Sequence, residues 1–126
     1  MTLLLLALAG GTGAATRFVA DALVARHNPF RVPLGTVVIN VTGSFLLGLL
    51  TGLFAVSSAD STGAALKAVI GTGFCGGYTT FSTASVEAAR LWSAEGPRIG
   101  IRYAVATLVA SLAAAAVGVA LGHLIA

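Results

Sequence analysis

The residues with the clearest capacity for chemistry lie together in the stretch Gly73–Thr83, which reads GFCGGYTTFST. Glycine lets a helix unwind, and the threonine, serine and tyrosine hydroxyls donate or accept hydrogen bonds. The stretch nevertheless lies within a segment that is apolar enough to cross a bilayer. Irregular or polar backbone is tolerated at that depth only where protein buries it or where it lines a water-filled cavity. The stretch is therefore predicted to be the working part of a small membrane protein.

Polar side chains in two other apolar segments could complete an ion-binding site. Asn40 offers two N–H donors and one acceptor, either to a pore or to a neighbouring helix. Tyr103, Thr107 and Ser111 recur at i, i+4 and i+8, near one face of a helix. These hydroxyls predict either a polar track for a small anion or hydrogen bonds to carbonyls of their own helix. Phe81 could turn the positive edge of its ring towards an anion, or could simply pack.

Charged residues are rare within the apolar segments. Arg17 lies well inside the first one, where it either snorkels to the interface or gives a vestibule a positive potential that attracts anions. Asp21 follows at i+4 and is expected to pair with Arg17. The segments contain no nucleophile beside a base and no paired carboxylates, so an enzyme is not predicted. Cys75 is the only cysteine, which excludes a disulfide within the chain.

The composition defines the elements that must position these residues. Of the 126 residues, 57% are hydrophobic and only 9% are charged, whereas soluble domains carry about 25% charged residues. At roughly 20 residues per crossing, this is an all-α membrane protein with a single domain of four transmembrane helices, at about 2–25, 33–56, 64–92 and 99–125. The third is predicted to be broken near 76–80, close to the bilayer midplane. The first lacks the basic region of a signal peptide and is predicted to be retained.

Small residues recur at four-residue spacing, a pattern that lets membrane helices approach closely. The pairs are Gly48 and Gly52, Gly73 and Gly77, and Gly118 and Gly122. They indicate helix packing rather than chemistry.

The basic residues are biased towards one side of the membrane. Antiparallel helices place the first and third loops on one side, and these loops with their flanks carry Arg26, Arg31, Arg90, Arg98 and Arg102. The opposite side carries Lys67 and the amino terminus. The positive-inside rule places those two loops in the cytoplasm. The net charge of +3 is scattered along the chain, so it indicates membrane topology rather than nucleic-acid binding.

Three stretches together resemble the CrcB/Fluc fluoride channels. They read GTGAATRF from Gly11, GTVVINVTGSF from Gly35 and GFCGGYTTFST from Gly73, and the resemblance extends over essentially the whole chain. It implies an antiparallel dimer of four-helix subunits in the plasma membrane of a prokaryotic-type cell. Such a dimer exports fluoride passively through two narrow pores and holds a structural sodium ion at its centre.

The resemblance also implies roles for individual residues. The carbonyls of Gly76 and Thr79 would bind the sodium ion. Asn40 would be the pore amide and Phe81 the first pore phenylalanine. The hydroxyl track would consist of Tyr103, Thr107 and Ser111, with Ser82 or Thr83 nearby.

Two departures from the family pattern bear on assembly. The family commonly has Phe-Ser-Thr-Phe where this chain has Phe81-Ser82-Thr83-Ala84, so one pore ring is missing. Subunits that insert both ways should also show almost no charge bias. We therefore hypothesise a heterodimer with an opposite-orientation paralogue, the alternative being a homodimer that tolerates Ala84.

Two other kinds of membrane protein compete with the channel interpretation. A small multidrug-type proton-coupled exporter is also a four-helix dimer, but it needs a membrane-embedded carboxylate, for which the first segment offers only Asp21. A non-conducting structural subunit of a larger membrane complex would show no ion flux of its own.

Overall fold

The computed structural model describes residues 2–55 and 61–126, and these are helical with no β-strand. The helices are α1 (Thr2–His27), α2 (Leu34–Leu53), α3 (Ser61–Leu66), a π-helical turn region (Lys67–Cys75), α4 (Gly76–Tyr78), α5 (Phe81–Glu95) and α6 (Pro97–Ile125). The all-helical prediction is confirmed. By length and composition, α1, α2 and α6 could each cross a membrane.

The predicted segment ends shift by a few residues. α1 continues beyond residue 25 to His27, and α6 begins at Pro97 rather than at residue 99. α2 ends at Leu53, whereas its predicted end at residue 56 lies outside the described residues. The predicted third crossing, 64–92, corresponds to helical residues 61–78 followed by α5.

Local hydrogen bonds turn the chain between α1 and α2. The Asn28 side chain donates to the carbonyl of Val32 over 2.7 Å and accepts from the amide of Phe30 over 2.9 Å. Asparagine favours such turns because its side chain satisfies nearby backbone groups. Pro33 then precedes α2, where its missing N–H costs nothing.

Glycine and proline form the junction between α5 and α6. Gly96 has a φ of 101°, which an L side chain rarely adopts. Its amide donates to the carbonyl of Trp92 over 3.1 Å and closes α5. Pro97 occupies the first turn of α6, where a fixed φ suits the helix.

Glycine also lets α2 and α6 pack tightly. A Cβ atom at Gly48 would overlap the carbonyl oxygen of Ala115, and one at Gly118 would overlap that of Phe45. Pro33 lies beside Tyr103 and Gly52 beside Gly122, so the two helices run parallel and begin at the same end. Lipid supplies little hydrophobic drive between helices, and close backbone approach therefore stabilises this pair.

Glycines also let α1 pack closely against residues 67–78. A Cβ atom at Gly13 would overlap the carbonyl oxygen of Phe74, and one at Gly77 would overlap that of Gly10. Large apolar side chains such as Leu3, Phe18 and Leu124 are left exposed on the outside. An exposed apolar exterior of this extent fits a lipid environment.

We predict that Gly48→Ala lowers the thermal unfolding temperature in detergent. The added methyl group meets the backbone of α6, and overpacking of this kind typically costs about 1–3 kcal/mol. The matched control is Gly11→Ala, because a Cβ atom there meets nothing within 4 Å. Alanine favours helix by about 1 kcal/mol in both variants, so equal unfolding temperatures would contradict the packing interpretation.

Candidate functional site

The helical backbone stops at Tyr78 and resumes at Phe81. Thr79 (φ −78°, ψ 159°) and Thr80 (φ −151°, ψ 116°) are both extended. The amide and the hydroxyl of Thr79 still bond the carbonyl of Cys75, each over 2.9 Å. Thr79 therefore completes the preceding turn, and the chain leaves the helix at Thr80.

The side chain of Asn40 satisfies the backbone of Thr80 at this point. Its Nδ2 donates to the carbonyl of Thr80 over 2.9 Å, and its Oδ1 accepts from the amide of Thr80 over 2.8 Å. Both residues are buried. In a continuous helix that amide would donate to the carbonyl of Gly76. The amide side chain thus replaces a lost backbone bond, and one further N–H of Asn40 remains available.

The hydroxyl of Thr80 caps the start of α5. Its Oγ1 accepts from the amide of Thr83 over 3.2 Å and donates to Thr83 Oγ1 over 2.9 Å. The hydroxyl of Ser82 lies 3.2 Å from the same oxygen. Ser82 and Thr83, both predicted to lie near a hydroxyl track, are therefore found in the cap of α5.

A cavity of about 420 Å³ lies beside the interruption, between α2, α5 and α6. It brings together four of the predicted pore residues, Asn40, Phe81, Thr107 and Ser111. Ser82, Thr83, Tyr103 and Arg17 do not line it. The other lining residues are Ser44, Thr79, Thr80, Ala84, Ser85, Ala104, Val105 and Leu108. A mostly apolar wall with a few convergent polar groups is typical of a ligand site.

Two hydroxyls in this cavity have no hydrogen-bond partner among the described residues. They are Thr107 Oγ1 and Ser111 Oγ, both buried. Serine and threonine in a helix usually bond a carbonyl of the preceding turn, and several others in this chain do so: Thr12, Thr16, Thr42, Thr51, Ser85 and Ser93. Thr107 and Ser111 are therefore distinct, because neither hydroxyl bonds a carbonyl of its own helix; that of Thr107 adjoins the phenol of Tyr103.

Tyr103, the third member of the predicted stripe, is already engaged. Its hydroxyl donates to Glu87 Oε2 over 2.6 Å and lies 3.3 Å from the carbonyl oxygen of Pro33. Sequence reasoning missed Glu87, the lining residues Ser44 and Ser85, and the capping role of Thr80. A lone carboxylate inside an apolar segment needs a donor, and that rule could have drawn attention to Glu87.

Arg17 reaches the interruption, but the predicted ion pair with Asp21 is wrong. Arg17 Nη1 donates to the carbonyl of Thr79 over 3.4 Å, and within residues 2–55 and 61–126 no ion pair joins the two side chains. Asp21 Oδ1 instead packs against Gly35, in the first turn of α2. The partial positive charge of a helix N-terminus favours a carboxylate there.

The predicted sodium ligands, the carbonyls of Gly76 and Thr79, lie at or just before the interruption of the helix. Gly76 is exposed, and a Cβ atom there would meet nothing within 4 Å. Its carbonyl has lost the amide of Thr80 to Asn40. The carbonyl of Thr79 is approached by Arg17. Carbonyl oxygens are suitable ligands for a hard cation.

Comparison with known proteins finds one family and several relatives that match nearly the whole chain. The family described as "CrcB-like protein, Camphor Resistance (CrcB)" matches residues 4–119. A "Fluoride-specific ion channel FluC 2" of Cutibacterium acnes is 48% identical over 122 residues, covering 97% of this chain and 98% of that protein. A "Fluoride-specific ion channel FluC 1" of Leifsonia xyli is 44% identical over 124 residues, covering 98% and 88% respectively.

We predict that Asn40→Leu exposes the backbone of Thr80 to exchange. The substitution leaves a buried N–H and a buried C=O without partners, at about 1–3 kcal/mol for each such group. Hydrogen–deuterium exchange of the Thr80 amide should accelerate, and thermal unfolding should begin earlier. The control is Thr51→Val, which removes only a bond from Thr51 to the carbonyl of Leu47 in its own helix. An unchanged exchange rate at Thr80 would show that Asn40 does not hold the interruption.

Proposed function

Because the chain belongs to the CrcB-like family, we propose that it is a fluoride-specific ion channel that lowers cytoplasmic fluoride by passive export across the plasma membrane. The two relatives described above are named as fluoride-specific ion channels and match nearly the full chain. The apolar helices suit a membrane protein. A channel needs no catalytic group, and no enzymatic activity is proposed.

The observation that carries this proposal is the pair of buried hydroxyls without partners. Thr107 Oγ1 and Ser111 Oγ line one cavity, one turn apart on α6. A buried hydroxyl without a partner costs about 1–3 kcal/mol, which a passing anion could offset. Fluoride is small and strongly hydrated, so donors along its path must replace the water that it loses.

Other groups beside the cavity favour negative charge in the same way. Asn40 keeps an N–H beyond its two bonds to Thr80. The first turn of α5 adds the partial positive charge of a helix N-terminus. Phe81 offers the positive edge of its ring. Arg17 supplies positive potential from the vestibule side of the interruption, where it contacts Thr79.

We assign the structural sodium ion to the carbonyls of Gly76 and Thr79. The diversion of the Thr80 amide to Asn40 supports this assignment, because it frees the carbonyl of Gly76. Two carbonyls are too few for a hard cation. A second protomer related by a two-fold axis would supply two more, so the sodium site depends on the dimer.

The proposed assembly is an antiparallel dimer with two pores. The ring of Phe81 is 83% exposed although it lines the cavity, and an apposed subunit would cover it. Ala84 lines the same cavity and leaves room where the family commonly places a second ring. Together with the arginine bias, this favours an opposite-orientation paralogue over a second copy of the chain.

The two other functions are less well supported. A proton-coupled exporter needs an embedded carboxylate that binds its substrate, but Asp21 packs against Gly35 at the start of α2 and Glu87 accepts from Tyr103. A structural subunit would not require donors without partners in a cavity. Family membership argues against both.

We predict that Asn40→Asp and Phe81→Ile each suppress fluoride efflux from proteoliposomes that contain the chain together with its opposite-orientation paralogue. The first substitution would place a carboxylate on the anion path, and the second removes the ring edge. Loss of one bond to an ion costs about 1.5–3 kcal/mol, which corresponds to roughly a 10- to 100-fold slower efflux. The matched control is Phe18→Ile, since Phe18 is 77% exposed on α1 and does not line the cavity. Normal efflux from both pore variants would place the pore elsewhere.

We predict that the chain expressed alone inserts in one orientation and conducts weakly. The arginine bias should fix its topology, and Ala84 should leave each pore short of a ring. Terminal tags with protease accessibility report the orientation, and fluoride efflux reports conduction. Co-expression with a paralogue of opposite charge bias should restore efflux. Strong efflux from the lone chain in both orientations would instead establish the homodimer.

A further inference from the structure

A second groove of about 550 Å³ lies between the first turn of α2 and residues 99–110 of α6. It is lined mainly by apolar side chains, among them Val37, Ile99, Ala106 and Ala110. At 3.6 residues per turn, Ala106 and Ala110 point to a different flank of α6 from Ala104 and Leu108, which line the candidate cavity. Tyr103 and Thr107 also border the groove, and Thr107 lines the candidate cavity as well, so the groove adjoins the candidate pore across α6.

One arginine lines this groove, and two more are close to its lining residues in the sequence. Arg102 lines it, Arg98 precedes Arg102 by one turn, and Arg31 adjoins the lining residue Val32. Of the described residues that line the groove, none is acidic; the nearest carboxylate is that of Glu87, which accepts from the lining residue Tyr103. Within residues 2–55 and 61–126, no ion pair neutralises Arg102.

The N-terminus of α6 adds to this charge. α2 and α6 run parallel, so both begin at the end where the arginines lie. Neither Pro33 nor Gly96 provides a side-chain cap to the first amides of its helix. Asp21 beside Gly35 offsets the partial positive charge of the α2 N-terminus, which leaves that of α6.

We propose that this groove binds one anionic phospholipid of the surrounding bilayer, with its phosphate at Arg102 and an acyl chain beside Val37, Ala106 and Ala110. Guanidinium groups bind phosphate through two parallel hydrogen bonds, and basic pockets between membrane helices are suited to anionic headgroups. The small side chains of Ala106 and Ala110 leave width for the chain. Lipid retention is measured without fluoride efflux, so the two proposals can fail separately.

Native mass spectrometry of the intact membrane protein, released from equal mixtures of phosphatidylglycerol and phosphatidylcholine, tests the site. The native protein should retain phosphatidylglycerol in preference to phosphatidylcholine. Arg102→Gln should lower that retention about 10-fold, the loss expected for one charge-assisted contact. Arg90→Gln is the matched control, because Arg90 is an exposed arginine that lines a different hollow, on α5.

A second variant, Ala106→Trp, fills the groove without changing charge. It should also lose the phosphatidylglycerol while the protein keeps its oligomeric state in size-exclusion chromatography. Equal loss from Arg102→Gln and Arg90→Gln would show only diffuse attraction and overturn the site. Equal retention of the two lipids by the native protein would do the same. If Ala106→Trp separates the subunits and leaves the lipid bound, the groove is a subunit interface instead.

Discussion

Backbone hydrogen bonding at membrane depth is the constraint on which the rest of the structure depends. An unpaired N–H or C=O in hydrocarbon costs several kcal/mol, so a helix can be interrupted there only if another group completes its bonds. The amide of Asn40 does this for both polar groups of Thr80. Because the amide of Thr80 bonds Asn40, the carbonyl of Gly76 is left free. A new helix, α5, then begins at Phe81. A single side chain therefore couples the proposed cation ligands to the proposed anion path.

Glycine makes this exchange geometrically possible. Gly43 lies one turn beyond Asn40, and a Cβ atom there would overlap the side-chain methyl of Thr79. α2 can therefore approach closely enough for Asn40 to reach the backbone of Thr80. The seam of Gly48 and Gly118 holds α6 equally close to α2. Since helices in lipid gain little from hydrophobic burial, such contacts determine which polar groups meet.

The two flanks of α6 have different chemistry. One presents the free hydroxyls of Thr107 and Ser111 to the cavity beside Phe81. The other presents alanines and Arg102 to a groove at the end where both helices begin, and Thr107 borders that groove as well as the cavity. Between them, Tyr103 directs its hydroxyl to Glu87 and so ties α6 to α5. α6 therefore contributes residues both to the cavity beside Phe81 and to the groove at Arg102.

The sequence by itself determined the helical class, the membrane setting and the family. Hydropathy and motif order are local properties of the chain, and both were readable without coordinates. It also pointed to Asn40, Phe81, Thr107 and Ser111, which the structure brings to one cavity. Their roles in ion binding remain predictions.

Only the tertiary structure decided which group each polar atom meets. It placed Ser82 and Thr83 in the cap of α5 and Tyr103 against Glu87. It also turned Arg17 to the carbonyl of Thr79 rather than to Asp21. Helical spacing specifies the face on which a side chain lies, but the partner across that face depends on how closely and at what height another helix packs. That height is set by the glycine contacts between helices, which no periodicity within one segment encodes.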